Sequence, residues 1–369
     1  MNSEERRAAR RSRRDAEREA RRRERAKECT LEAVADFGGL YNAANDAASG
    51  VRWKSTVQRY MARVVPNAIK ARRDLLEGRD FKRGFVNFDL YERGKLRHIS
   101  AVHFSERVIQ KSISKNALVP AIAPSLTPGC TANVKGRGTD YAISRLKRQL
   151  ASHYRRFGYS GYVLQVDFSD YFANIDHDAC KRLVARYIYD ERLLAVMNDQ
   201  IDAQGVRGLG LGSEPNQILA VALPSPIDRM AESTPGIEAS GRYMDDSYLI
   251  AQDKALLWRT LAEIEGECKK LGIVINSKKT RITKLTRGFI FLKKRFSYGE
   301  NGKVVVRPSK AAVTRERRKL KRQKRLLDNG DMTLDQITQS YQSWRGSMKR
   351  LDARTAVVNM DALFKRLFG

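Results

Sequence analysis

Apolar residues recur at every third or fourth position over much of this 369-residue chain, and at alternating or continuous positions in a few short stretches. The helical period predicts helices across 31–76, where Trp53, Val57, Tyr60, Met61 and Val64 fall at 3–4 spacing, and across 104–119, with Ser105 as N-cap. Pro120, Pro124 and Pro128 are expected to break up the segment after the second of these. Further helices are expected over 140–156, 179–203, 253–271, 315–325, 334–345 and 356–368. An apolar helix over 218–230 should be ended or kinked by Pro224 and Pro226. Strand patterning marks 85–91 and 92–100 as a hairpin turning at Gly94. It also marks 162–167, the two arms around 243–246, and 272–280, with lysines at its exit. Two short strands at 288–292 and 294–298 should pair, and a third spans 303–307.

Charge changes this picture. Lys and Arg number 71 against 42 Asp and Glu, a formal net charge of +29. Such an excess implies a polyanionic partner, nucleic acid first and an anionic membrane second. No apolar run approaches the roughly 18–20 residues that span a bilayer, and no signal-peptide core is visible, so a cytoplasmic location is the default expectation. Residues 1–28 are almost entirely Arg, Glu and Ala, which are helix formers with opposite charges three or four apart. Too few apolar residues are present to bury a face, so the segment reads as a frayed helix or as an arm that orders on nucleic acid. Cys29, Cys130, Cys180 and Cys268 form no CxxC pair and read as free thiols in a reducing compartment. The four histidines do not cluster at metal-ligand spacing.

The candidate chemistry lies in Gly-Arg-Tyr-Met-Asp-Asp-Ser-Tyr-Leu-Ile at 241–250. A hairpin would carry Asp245 and Asp246 at its tip. Adjacent acids raise each other's pKa unless a cation holds both ionised, so the pair is either a solvated turn or a metal site. Asp167 ends the strong strand at 162–167 and is the natural third carboxylate, fixed by the strand and exposed by the turn after it. Gly205–Gln217 (GVRGLGLGSEPNQ) lets backbone approach a ligand. Lys95 and Arg97, near a hairpin tip, suit phosphate oxygens. So does Lys135-Gly136-Arg137-Gly138-Thr139, at a helix entrance.

In this order the strand ending in Asp167, the Gly-rich loop, Tyr-Met-Asp-Asp, a Lys-Lys-Thr exit and a basic helical module resemble a reverse transcriptase over about residues 80–350. The resemblance implies an α+β, right-hand polymerase fold. A basic N-terminal helix (1–28) would precede fingers (29–160), palm (161–287), and a primer grip with helical thumb (288–369). It implies RNA-directed DNA polymerisation with two Mg²⁺ ions, Mn²⁺ being the alternative, held by Asp167, Asp245 and Asp246. Tyr171, with Phe172 as runner-up, would exclude a ribose 2′-hydroxyl. Lys95 and Arg97 would hold the triphosphate, Gly212 and Gln217 would lie beside the nascent base pair and template, and Lys279 would sit near the pyrophosphate. Phe168 and Tyr243 complete the expected substrate contacts.

The pattern around Arg97 and the 135–139 loop is similar to bacterial retroelement enzymes related to group II introns, and no maturase, endonuclease or RNase H segment is expected after the thumb. Leu211-Gly212-Ser213-Glu214-Pro215-Asn216-Gln217 departs from the intron motif. Its final Gln resembles diversity-generating retroelements, and defence-associated enzymes vary at the same place. The implied partners are a dedicated non-coding RNA template, a primer and its cDNA, dNTPs, and a second copy of the chain or a small accessory protein, with no membrane. A catalytically weak nucleic-acid-binding homologue and a group II intron-derived enzyme are the alternatives.

Overall fold

The computed structural model describes residues 3–92 and 95–369, excluding the side chains of Ser3, Glu4, Arg7, Ala8, Arg11, Glu92 and Lys95. The expected Gly94 turn and Lys95 side-chain contact lie outside the described residues. The chain is α+β, with helices and antiparallel sheets in separate layers.

Helix α1 (Ser3–Ala26) leads into α2 (Leu31–Val34), α3 (Phe37–Ala48), α4 (Ser55–Met61) and α5 (Val64–Leu76). The expectation that 1–28 has too few apolar residues to bury a face is corrected at its C-terminal end, where packing begins and continues into the next residues. Ala26 and Cys29 are buried, and the Arg22 guanidinium lies 5.6 Å from the ring centre of Tyr187. A long aliphatic stem can cover apolar surface while its charge stays wet. Trp53 is also corrected. It sits in the turn between α3 and α4 and is 74% exposed, whereas Val57 and Tyr60 are buried as their spacing predicts.

Strands β1 (Phe85–Glu92) and β2 (Lys95–Val102) form a two-stranded antiparallel ribbon. Helix α6 (Phe104–Ile113) is capped by His103 rather than Ser105, because the imidazole accepts from the Ser105 N–H. It runs through a π-turn at Ser114–Leu118 into α7 (Val119–Ile122), so Pro120 does not end the helical path. The wider turn accommodates a residue that lacks an N–H.

Helix α8 (Thr139–Phe157) precedes β3 (Tyr162–Asp167), the short α9 (Tyr171–Asn174), α10 (His177–Tyr187) and α11 (Glu191–Asp202). Helix α12 (Glu214–Ala222) begins four residues before the expected apolar run, and a kink at Pro224 separates it from α13 (Ser225–Ser233). Strands β4 (Ile237–Tyr243) and β5 (Asp246–Ala251) form the Tyr-Met-Asp-Asp hairpin. Helix α14 (Lys254–Lys270) and β6 (Arg281–Lys284) come next.

These strands make one antiparallel sheet in the order β4-β5-β3-β6. Leu164, Val166 and Leu249 enter the main core with α10, α12 and α14. Val163, Tyr248 and Ile250 face a second core that includes α8 and a three-stranded sheet. Both faces of β3 and β5 are therefore covered, which explains their near-continuous apolar runs. The second sheet is β7 (Phe289–Phe291), β8 (Lys294–Tyr298) and β9 (Val304–Pro308). Tyr248 meets Phe291 edge-on at 4.9 Å, and Gln165 Nε2 donates to the Ile290 carbonyl at 2.6 Å, joining the two sheets. Gly241 permits this packing: a Cβ there would lie 2.5 Å from the Tyr248 hydroxyl.

The expected strand at 272–280 is corrected to a turn. Thr280 N–H donates to the Asn276 carbonyl, and regular pairing starts only at Arg281. Helices α15 (Lys310–Asp328), α16 (Leu334–Met348) and α17 (Arg354–Phe368) have a separate core of Leu320, Tyr341, Met360 and Leu363. The Tyr341 ring stacks on Phe364 at 4.5 Å.

Candidate active site

Register brings the first acid to the pair. Strands β3 and β5 align antiparallel with Asp167 opposite Asp246. The Phe168 N–H donates to the Asp245 carbonyl at 3.3 Å and fastens the strand exit to the hairpin turn. Within that turn Met244 has φ +57°, a left-handed conformation uncommon outside glycine.

The conformation is held from beneath. Arg242, 2% exposed, forks onto Asp228 through Nε at 2.8 Å and Nη2 at 2.7 Å. Its Nη1 donates to the Met244 carbonyl at 3.0 Å and Nη2 also donates to the Val221 carbonyl at 2.8 Å. Burial alone would lower the Arg242 pKa, but the Asp228 carboxylate raises it further, so the guanidinium stays charged.

The acids have a deficit of positive charge. Burial, then the neighbouring Asp245 charge and more weakly Asp167, push Asp246 up to about 7, against the Leu292 N–H and Lys279. Asp167 Oδ2 accepts from Asn276 Nδ2 at 3.1 Å and from Lys279 Nζ at 2.8 Å. That bond to Asp167 raises the Lys279 pKa, burial works against it, and the other two acids add to it. Among the described residues no three His, Cys, Asp or Glu side chains stand together at ligand spacing. Lys279 meets only part of the deficit, and the Asp246 carboxyl holds a proton up to about pH 7. Hard carboxylate oxygens around unmet negative charge are a donor set that fits a divalent cation.

That proton makes stability depend on pH. The folded Asp246 carboxyl keeps its proton to about pH 7, whereas the unfolded one releases it near pH 4. The folded state therefore binds more protons in that window, and its stability falls as pH rises through it. In EDTA, the melting temperature of Asp246→Asn relative to the unaltered chain should rise from about pH 4 to about pH 7 and then level off. Melting curves that stay parallel across the window would contradict the assignment.

The other expected site residues separate into two groups. Lys279 reaches Asp167 from the turn before β6, and Tyr243 is half-buried at the hairpin, paired with Asp246. Gly212 (φ +111°) and Gln217 line one cavity of about 360 Å³ with Asn133, whose Nδ2 donates to Gln217 Oε1 at 2.9 Å. Arg97 is exposed on β2 opposite Leu90.

Tyr171 and Phe168 are corrected. Both rings are buried, at 5% and 3% exposure, and the Tyr171 hydroxyl donates to the Ala220 carbonyl at 2.6 Å. Burial carries that hydroxyl's pKa well up. A ring enclosed in this way has no face for a ribose, whereas Phe172 beside it is only half-buried.

Four participants escape sequence reading: the pair Arg242 and Asp228, then Asn276 and the Leu292 backbone amide. A cation in a strand whose neighbours are buried was the available signal for the first. The other two depend on loop geometry.

The reverse transcriptase (RNA-dependent DNA polymerase) family model matches residues 82–310. Comparison with curated proteins gave no match. Similar solved structures include telomerase from Candida albicans in complex with a TWJ fragment of telomeric RNA, at 11% identity and TM-score 0.43, covering 63% of this chain and 48% of that one. Apo telomerase from Candida tropicalis is similar in a form truncated from its C-terminal domain (13%, TM-score 0.45, 60% and 54% covered) and in another apo form (14%, 0.44, 58% and 46%). The chain spans about half the length of these structures. With the family model spanning more than half of the chain, across both acid-bearing elements, the chain belongs to the reverse transcriptase family and has its right-hand polymerase fold.

Proposed function

We propose that this polymerase copies a dedicated non-coding RNA into cDNA, using Asp167, Asp245 and Asp246 as the carboxylates of a Mg²⁺-dependent nucleotidyl transfer. The observation that carries this reading is the register that sets Asp167 opposite Asp246, with Asp245 fastened beside them through the Phe168 N–H. When bound, two Mg²⁺ ions, or Mn²⁺ in their place, would activate the primer hydroxyl and neutralise the triphosphate and leaving pyrophosphate. Asn276 orients Asp167. Lys279, kept protonated by the surrounding acids, is the candidate proton donor near the pyrophosphate. Arg97, with Lys95, would receive the triphosphate from the β1–β2 ribbon, and the Gly212–Gln217 wall would flank the nascent pair and template. In this reading fingers (29–160) precede the palm (161–287) and a primer grip with thumb (288–369), whose helices α15–α17 have a core of their own. Between α15 and α17, Arg317, Arg318, Lys321 and Arg366 line a groove of about 430 Å³ without a carboxylate, suited to a duplex backbone.

The half-buried Phe172 takes the place first expected of Tyr171 as the ring that excludes the 2′-hydroxyl. Phe172→Ala should relax discrimination against ribonucleotides by about tenfold or more. Tyr171→Phe should cost about 1 kcal/mol of stability and leave selectivity unchanged. Single-nucleotide incorporation with dNTP and rNTP checks both; unchanged selectivity in Phe172→Ala would remove the assignment.

The final Gln217 of the Gly-rich motif supports a bacterial retroelement enzyme serving diversification or anti-phage defence. Sequencing the RNA and cDNA that copurify with the chain tests this. A cDNA matching a variable protein gene indicates diversification, repetitive or untemplated product indicates defence, and intron sequence would overturn both.

A further inference from the structure

A second cationic site lies at the root of the β1–β2 ribbon, and none of the three acids lines it. There α4, α5, the segment 79–84 and the start of α6 enclose a cavity of about 420 Å³. Arg83 stands two residues before β1 and His103 directly after β2. Eight-residue strands of about 3.3 Å per residue put this root about 25 Å from the ribbon's tip.

The charge in the cavity is unbalanced. Its two Asp side chains are already occupied, Asp74 by Lys70 and Asp80 by Lys82, which also pairs with Asp199. Arg59, Arg63 and Arg83 line the same space, and among the described residues no carboxylate pairs with any of their guanidiniums. His103 Nδ1 is committed to Ser105 at 2.8 Å. Burial, then the charges of Arg83 and Arg59, lower the imidazole's pKa, which places both guanidiniums in one field.

We propose that Arg59, Arg63 and Arg83 form a binding site for the sugar–phosphate backbone of RNA, outside the polymerase cleft. Guanidinium forks match paired phosphate oxygens and stay charged at any working pH. Three unpaired forks around one cavity suit successive phosphates of a chain better than a single anion. The site is independent of which acids carry out polymerisation, because it shares none of their residues.

The test uses the full chain with Arg59, Arg63 and Arg83 all changed to Gln, and a labelled RNA hairpin with a single-stranded tail as probe. All three residues are exposed, so the variant should melt as the unaltered chain does. Affinity measured by anisotropy should fall about tenfold, and the slope of log K against log salt should shrink by about two to three. A control changes the exposed Lys254, Arg259 and Lys269 of α14 to Gln, removing the same charge elsewhere. Unchanged affinity and slope in the arginine variant would overturn the proposal. So would an equal loss in the control, which would reduce the effect to net charge. A third overturning result is intact RNA binding combined with loss of competition by inorganic phosphate, which would make the cavity a free-anion site.

Discussion

Asp245→Ala and Asp167→Ala should each reduce Mg²⁺-dependent dNTP incorporation on a primed RNA template by at least about a thousandfold, equivalent to about 4 kcal/mol of transition-state stabilisation. Asp246→Asn should also be severely impaired, yet without added metal at pH 8 it should melt higher than the unaltered chain. Its carboxyl is the one that burial and Asp245 push up to about 7. An amide removes the charge that the fold resists while keeping the shape of the side chain. Opposite signs for activity and stability at one residue are what a site assembled for a cation requires. Losses in both together would mean that Asp246 serves packing alone. Incorporation that survives Asp245→Ala would remove the catalytic assignment altogether.

The two carboxylate elements were legible because their signals are local. Strand β3 spans residues 162–167 as its apolar run predicts, and the hairpin turns where Tyr-Met-Asp-Asp interrupts two β-favouring arms. Asp167 reads as the third carboxylate because it ends a buried strand, and the sheet sets it opposite Asp246. Legibility ended where tertiary contacts outweighed local preference. Tyr171 and Phe172 are adjacent aromatics of similar propensity, and it is the main core, Phe168 and the Ala220 carbonyl that hold Tyr171 inward. Residues 272–280 have the composition of a strand, but the Asn276 N–H donates to the Asp167 carbonyl and its side chain to the Asp167 carboxylate. Those contacts bend the segment into the turn that delivers Lys279. Trp53 keeps helical spacing with Val57 and Tyr60 yet lies outside any helix, so spacing alone could not bury it.

Arg242→Ala should destabilise the fold by about 3–5 kcal/mol, because it leaves the buried Asp228 without its partner. Activity should fall as well, for a separable reason: the same guanidinium holds the Met244 carbonyl beside the two acids, in a turn whose φ of +57° needs support. The double change Arg242→Met with Asp228→Leu separates these effects. Replacing both members of a buried ion pair with apolar side chains is often neutral, so thermal stability should largely return. The Met244 carbonyl would still lack its donor. The rate at saturating substrate should therefore remain depressed by about tenfold, the loss of about one hydrogen bond to a charged group. Arg242→Lys keeps the charge without the fork and should fall between the two in stability. Full recovery of rate in the double variant would make Arg242 a structural residue only. Recovered stability with a persistent rate defect would establish it as the residue that positions the catalytic turn.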